Sequence, residues 1–408
     1  MGGQLKHAYQ VDCCRLMFQH NVLFNVFKSE EFMKVENLKL MNNQWQLTGI
    51  GQNIEDTANI VFVFGDTKSF KQPEYFHQLN ANYPNAQIVG CSSSANILGA
   101  EVADSPLIAT AVMFENSYIK VNAIDIKEGE NIETISGELI NGLFNDDLKH
   151  IFVLSDGLLI NGSELVRGMN KVTKVPISGG MAGDGDRFEE TWVIANSEPT
   201  QRKIVAVGFY GNGLTISSGC QGGWSEFGAE RLITRSKGNV LYEIDHEPAL
   251  DLYKKYLGDY AKDLPNSGLR FPLSIKLNPN DPETIRTLLA ISEEEKSITF
   301  AGDVPEGFTA RLMKPDIDIL IDGAGQAAEE ITKGNNKQAL GLVVSCVGRK
   351  IIMNQLVDEE LESIEEVLGE HVSLTGFYSY GEISPFEKHQ TACQLHNQTM
   401  TLTAIYED

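Results

Sequence analysis

A carboxylate, an imidazole and three aromatic rings crowd into the end of the chain. They occupy Gly376-Phe377-Tyr378-Ser379-Tyr380-Gly381-Glu382-Ile383-Ser384-Pro385 and the nearby Leu395-His396-Asn397-Gln398-Thr399. Apolar faces with a few converging polar groups are what the wall of a small-molecule pocket requires. A buried Glu382 is suited to general-base work, with His396 as its partner. The same residues also build an ordinary turn packed on a core, with His396 a hydrogen-bonded core histidine.

Other stretches offer chemistry more thinly. Cys91 sits in Gly90-Cys91-Ser92-Ser93, and Cys346 ends an apolar run. Neither has a fixed basic neighbour in sequence, so each reads first as a small buried filler and second as a nucleophile. Ser178-Gly179-Gly180-Met181-Ala182-Gly183-Asp184-Gly185-Asp186 could line up amide N–H groups as an anion nest, or serve a tight bend. Asp184 and Asp186 make phosphate a poor guest. Gly222-Gly223-Trp224 places a ring for a wall or for a core. Gly323-Ala324-Gly325-Gln326-Ala327-Ala328 follows the apolar run Ile317–Ile321 and fits the dinucleotide pattern G-x-G-x-x-A. It lacks the acidic residue expected about twenty positions on. His246 stands between Asp245 and Glu247, in an exposed setting. There is no Walker loop, G-x-S-x-G or H-E-x-x-H.

Three copies of one pattern carry these groups: strand, crossover helix, strand, glycine-rich turn. The strands are Ile60–Gly65 and 86–91, then 150–155 and 175–180, then Ala339–Cys346 and 372–377. The run Ile60–Gly65 is continuously apolar and suits a strand buried on both faces. Ile88, Gly90, Ser93 and Ile97 align with Leu374, Gly376, Ser379 and Ile383. The expected fold is α/β of mixed α+β type: two related halves with mixed sheets and outer helices in layers. Gly90, Gly180 and Gly376 are expected to meet around a shared hollow. Tyr210-Gly211-Asn212-Gly213 carries a hairpin signal.

The chain has 408 residues, enough for more than one core. Its 33 basic and 56 acidic residues give a net charge of −23. That excludes nucleic-acid binding through basic stripes, and binding to anionic membrane surfaces. No apolar run reaches the ~18–20 residues of a membrane span, and no export signal opens the chain. Six scattered cysteines without a C-x-x-C pair fit a reducing cytoplasm, the expected location.

Six motifs together carry a family resemblance. They are Val89-Gly90-Cys91-Ser92-Ser93, the run Ile177–Asp184, Gly222-Gly223-Trp224, Cys346-Val347-Gly348-Arg349, Gly376–Ile383 and Leu395–Met400. Over residues 55–405 the chain resembles a stand-alone FIST-domain protein, with FIST N and FIST C segments in tandem. The resemblance implies an extension at 1–50, a FIST N-like domain at 51–245 and a FIST C-like domain at 246–408. It implies a sensory module for small ligands. The ligand-binding residues it points to are Cys91, Ser92, Ser93, Gly179, Gly180, Gly183, Asp184, Trp224, Cys346, Arg349, Phe377, Tyr378, Tyr380, Glu382 and His396. A bacterial branch described as nitric-oxide-sensing haemoproteins is similar. It implies haem b as a candidate cofactor, with His396 as the first axial candidate to the iron and His246 as the second. It also implies a partner in trans, a sensor histidine kinase or a cyclic-di-GMP enzyme. Ala95-Asn96-Ile97 departs from the usual Gly-Glu-Ile and leaves a carboxylate role on that side in doubt.

Three functions are therefore weighed. The first is a cytoplasmic sensor that binds its ligand between the two segments. The second is a ligand-free interaction scaffold using the acidic helix 358–370. The third is an enzyme using Cys91, Glu382 and His396. The ligand, the partner and the oligomeric state are left open by the sequence.

Overall fold

The structure, a computed structural model, describes residues 33–49, 51–279, 281–334, 338–385 and 391–408. Cys13, Cys14, His20 and His389, and the extension as far as residue 32, lie outside these. The expected mixed α+β architecture is what the chain forms, with mixed sheets and helices covering them.

The strand-helix-strand unit occurs three times, each time with the same neighbours. The two strands are parallel: Ile60–Gly65 with Gln87–Ser92, Leu148–Ser155 with Ile177–Met181, and Ala339–Cys346 with Val372–Ser379. A later strand returns antiparallel beside the first of each pair: Leu107–Met113, Lys203–Tyr210 and Met400–Glu407. An earlier strand then pairs with each returning strand: Lys34–Met41, Tyr118–Asp125 and Leu214–Gln221. A short strand after each pair crosses to another unit. Asn96–Leu98 leaves the first unit for the third. Gly381–Pro385 leaves the third for the second. Val193–Ala195 leaves the second for the first. The exchange runs in a circle, so the three copies noticed in the sequence are three equivalent sheets interlocked with one another.

Alternation explains the strands. Ile60, Phe62 and Phe64 face a central core, while Val61 and Val63 face the helix side with Phe76 and Leu79. Phe152 and Leu154 share the central core, and Ile151 and Val153 meet Leu165 and Met169 behind. Aromatic rings fill the middle. Phe62 meets Phe152 edge-on at 6.0 Å, and Phe64 stacks on Phe377 at 4.9 Å. The hollow expected there is thus occupied by side chains.

The glycines serve close strand approach. A Cβ on Gly90, Gly179 or Gly376 would lie 2.0, 1.9 or 1.8 Å from the carbonyl oxygen of Val63, Val153 or Val343. Opposite them on the exchanged strands stand Ile194, Ile383 and Ile97. Gly180 is pressed against Val344 and the Phe377 ring.

A fourth sheet interrupts the third unit. It spans Trp224–Glu226 to Thr309–Pro315, and these two strands pair to form its neck. It has its own core around Ile233, Leu250, Tyr253, Ile298 and Phe300. Position 245, the boundary drawn from the sequence, falls inside this sheet, between Val240–Ile244 and Glu247–Pro248.

Three local expectations change. Residues 34–48 are a hairpin of the first sheet rather than part of an extension. Its turn residues Asn42 and Asn43 have positive φ, and Leu38 and Leu40 point inward. The Gly211-Asn212-Gly213 turn joins strands of different sheets, so it makes no hairpin. Gly323 and Gly325 lie within helix Ile317–Glu329, not in a loop before one. They let the helix approach Gly222 and Ser363 closely. Among the described residues no helix is long and apolar enough to cross a membrane.

Candidate functional site

A cleft of about 350 Å³ opens between the second unit and the fourth sheet. The turn 157–162, Met181, Phe188, Tyr380 and Leu395 form one wall, and Asn239, Leu289, Phe300, Ala301 and Gly302 the other. A second, more polar cavity of about 550 Å³ shares Phe188 and adds Asp186, Tyr260, Asp263, Arg270 and Ile351. These volumes suit small ligands.

Buried carboxylates build the first wall. Asp156 ends its strand and accepts from the Leu158 and Leu159 amides at 2.9 Å each, from Thr191 Oγ1 at 2.6 Å and from the Arg202 amide at 2.7 Å. Asn161 caps the next helix through the Ser163 amide at 2.9 Å and the Glu164 amide at 3.2 Å. Asp184 is fully buried and accepts from the amides of Phe188, Glu189 and Glu190 at 2.9–3.0 Å, and from the Tyr380 hydroxyl. That holds Phe188 at φ 54, stacked on Tyr380 at 4.5 Å. Burial and the Asp184 hydrogen bond both raise the Tyr380 phenol, so it stays a neutral donor. The cleft is therefore preformed rather than assembled from free loops.

Of the residues chosen from sequence, Tyr380 lines the cleft and Asp184 supports it. Gly179, Gly180 and Gly183 sit in and just beyond the strand behind Met181. Phe377 is in the central core. Arg349 and Tyr378 belong to a sealed network around Glu360. Arg349 pairs with Glu360 at 2.8 Å with both side chains at 0% exposure, and the Tyr378 hydroxyl donates to the same carboxylate at 2.6 Å. Arg349 also donates to the carbonyls of Gly222 and Leu320 at 2.6 and 2.8 Å, tying the neck of the fourth sheet to the third unit. Trp224 is half-buried at that neck and donates to the Gln398 carbonyl at 3.1 Å. Ser92 accepts from the Trp192 amide at 3.0 Å, and Ser93 donates to Asn96 at 2.5 Å. Asn96 holds the place that Glu382 holds in the third unit, where Ser379 donates to Glu382 at 2.7 Å. The Cys91 and Cys346 thiols are buried, and burial pushes both well above the usual range, so neither offers a thiolate.

Glu382 and His396 face each other across paired strands. Glu382 is fully buried and accepts from the Thr399 amide at 3.0 Å and its hydroxyl at 2.9 Å. Burial outweighs these bonds and lifts its carboxyl to about 7. His396 is 2% exposed, with Nε2 on the Ser384 carbonyl at 3.0 Å, and burial lowers it to about 4. An axial ligand to haem iron needs a ring nitrogen facing open space. The Ser384 bond and the sealed surroundings do not fit that role as the chain stands. His246 lies exposed on a turn at φ 65. Among the described residues no His, Cys, Asp and Glu cluster could hold a metal ion.

The pH behaviour follows from these burials. Unfolded Glu382 loses its proton near ~4.3, but folded Glu382 keeps it to about 7. Between those values the folded state binds the extra proton, so this residue's contribution weakens as pH rises. His396, at about 4, and His150, at about 3, act oppositely and weaken the fold as pH drops below ~6.5. The melting temperature of wild type minus that of Glu382→Gln should therefore fall between pH 5 and pH 8. A difference independent of pH would contradict a buried, protonated Glu382.

Sequence reasoning missed Leu158, Ile160, Asn161, Phe188 and the whole second wall. Asp156-Gly157 after a strand and the Asn161 cap were readable signals. Nothing local links Asn239, Leu289 or Gly302 to Tyr380.

Comparison with known proteins supplies the class of the chain. Residues 59–247 match the family model of the FIST N domain and residues 249–385 that of the FIST C domain. The chain belongs to the FIST family. FIST domains are sensor domains of signal transduction that bind small ligands. The uncharacterized protein MJ1623 of Methanocaldococcus jannaschii is 24% identical over 337 residues, 77% of this chain. The match spans 65% of that relative's length, under two thirds. The uncharacterized protein Rv0628c of Mycobacterium tuberculosis is 24% identical over 350 residues, 81% of this chain and 86% of that one. A crystal structure of cyanuric acid hydrolase from A. caulinodans overlays 92% of this chain and 99% of its own at 8% identity. Its TM-score of 0.33 is too low to bear on fold or activity.

Proposed function

We propose that this chain is a small-ligand sensor whose ligand sits in the cleft between the second unit and the fourth sheet. Its state would be read by a separate protein, a sensor histidine kinase or a cyclic-di-GMP enzyme acting in trans. One observation carries this reading. Two layers with separate cores face each other across a preformed space lined by apolar side chains, two asparagines and glycine backbone, with no charged side chain in the lining. A ligand touching both layers favours the arrangement in which they fit it, and so shifts the surface shown to a partner.

Leu289 is 41% exposed on the cleft rim, so Leu289→Trp should fill the space with little harm to the fold. Native mass spectrometry of protein from its host should show a retained small molecule in wild type and none in this variant. Equal retention in both would place the ligand elsewhere and end the proposal. The haem and nitric-oxide version rests on the resemblance alone. Haemin titration tests it: a Soret band lost in His396→Ala would support it, and a band absent or indifferent to that change would remove it.

A further inference from the structure

Arg286 is a buried cation that the fold leaves without a carboxylate hydrogen bond. It is 9% exposed. Nε donates to the Asp303 carbonyl at 2.9 Å, and Nη1 to the carbonyls of Ile285 and Leu395 at 3.0 and 3.1 Å. Among the described residues Nη2 has no acceptor. The nearest acid, Asp303, has its carboxylate engaged by Arg167 Nη1 at 2.5 Å. Buried charges are ordinarily paired, because carbonyl dipoles replace only part of the lost hydration.

The place of this guanidinium gives it meaning. A Cβ on Gly302, which lines the cleft, would lie 3.0 Å from Arg286 Nε, 3.2 Å from Cζ and 3.2 Å from Leu395 Cδ2. The cation therefore stands directly behind the cleft wall, at the one point where that wall has no side chain. Its influence reaches His396 as well, helping to keep that imidazole neutral. Asp303 is shared with Arg167, which Glu133 also meets at 3.4 Å, and Glu133 in turn pairs with Lys171. The chain as a whole carries −23.

We propose that the ligand is an apolar molecule bearing a single anionic group, its body between Leu289, Phe300 and Tyr380 and its charge met by Arg286. The two N–H groups left on Nη2 suit an oxygen of a carboxylate or a sulfonate, and a charge-assisted bond in such a site is strong. This rests on the cleft being the ligand site.

Two dyes that differ in one group test it on the full-length chain. 8-Anilinonaphthalene-1-sulfonate is anionic, and N-phenyl-1-naphthylamine is its neutral counterpart. Fluorescence titration of wild type should show the anionic dye binding at least about tenfold tighter, as a charge-assisted bond implies. That preference would run against the protein's overall charge. Arg286→Gln should bring the anionic dye down to the neutral dye's affinity and leave the neutral dye unchanged. Arg286→Lys should keep part of the preference. If Arg286→Gln fails to fold, benzoate and benzamide as competitors on wild type decide: benzoate should displace the dye and benzamide should not. Equal or tighter binding of the neutral dye would overturn the anion proposal and leave the cleft standing. Binding of neither dye, or binding of both undiminished by Leu289→Trp, would overturn the cleft reading and this proposal with it.

Discussion

Glu360→Ala should destabilise the protein by about 3–5 kcal/mol, the usual result of leaving a buried charge without its partner. Arg349 and Glu360 are both at 0% exposure, and the carboxylate also serves Tyr378 and Ser345. Removing it strands a guanidinium, a phenol and a hydroxyl at once. The loss reaches beyond one core, because Arg349 also holds Gly222, at the neck of the fourth sheet, and Leu320. Thermal melts of Glu360→Ala, Arg349→Met and the double variant would measure it. The double variant should be more stable than Glu360→Ala alone, since it removes both charges. A single variant that melts with wild type would mean the pair is not sealed.

The second large effect concerns repetition. Gly90→Ala, Gly179→Ala and Gly376→Ala should each destabilise by about 1–3 kcal/mol or more, by driving a methyl group into a strand carbonyl. The three distances agree within 0.2 Å, and each strand is held on both sides, so neither partner can retreat. A loss at each of the three sites is expected if the units are equivalent, the largest at Gly179, whose φ of 144 adds backbone strain. Gly213→Ala, whose nearest contact is 3.4 Å away, is the control and should change little. Loss at one site only would contradict the threefold arrangement.

Much of the core was legible because its signals are local. Residues 60–65, 151–154 and 339–346 announce buried parallel strands by their apolar runs, and the alignment of Gly90 with Gly376 and Ile97 with Ile383 anticipated the shared geometry. The circular exchange was not legible. Strands as short as Asn96–Leu98 carry no address naming the sheet they join. The aromatic turn was read as a pocket wall, yet only Tyr380 reaches the cleft. Phe377 stacks on Phe64 in the central core and Tyr378 turns the other way to Glu360, because a strand sends neighbours to opposite faces. The site itself depends on contacts across more than a hundred positions, such as Arg286 with Leu395, and no spacing rule reveals those.

Co-crystallisation with 8-anilinonaphthalene-1-sulfonate tests the central claim most directly. The account predicts density between Leu289, Phe300 and Tyr380 with the sulfonate toward Arg286. Density elsewhere on the molecule, with that cleft closed by its own side chains, would contradict it.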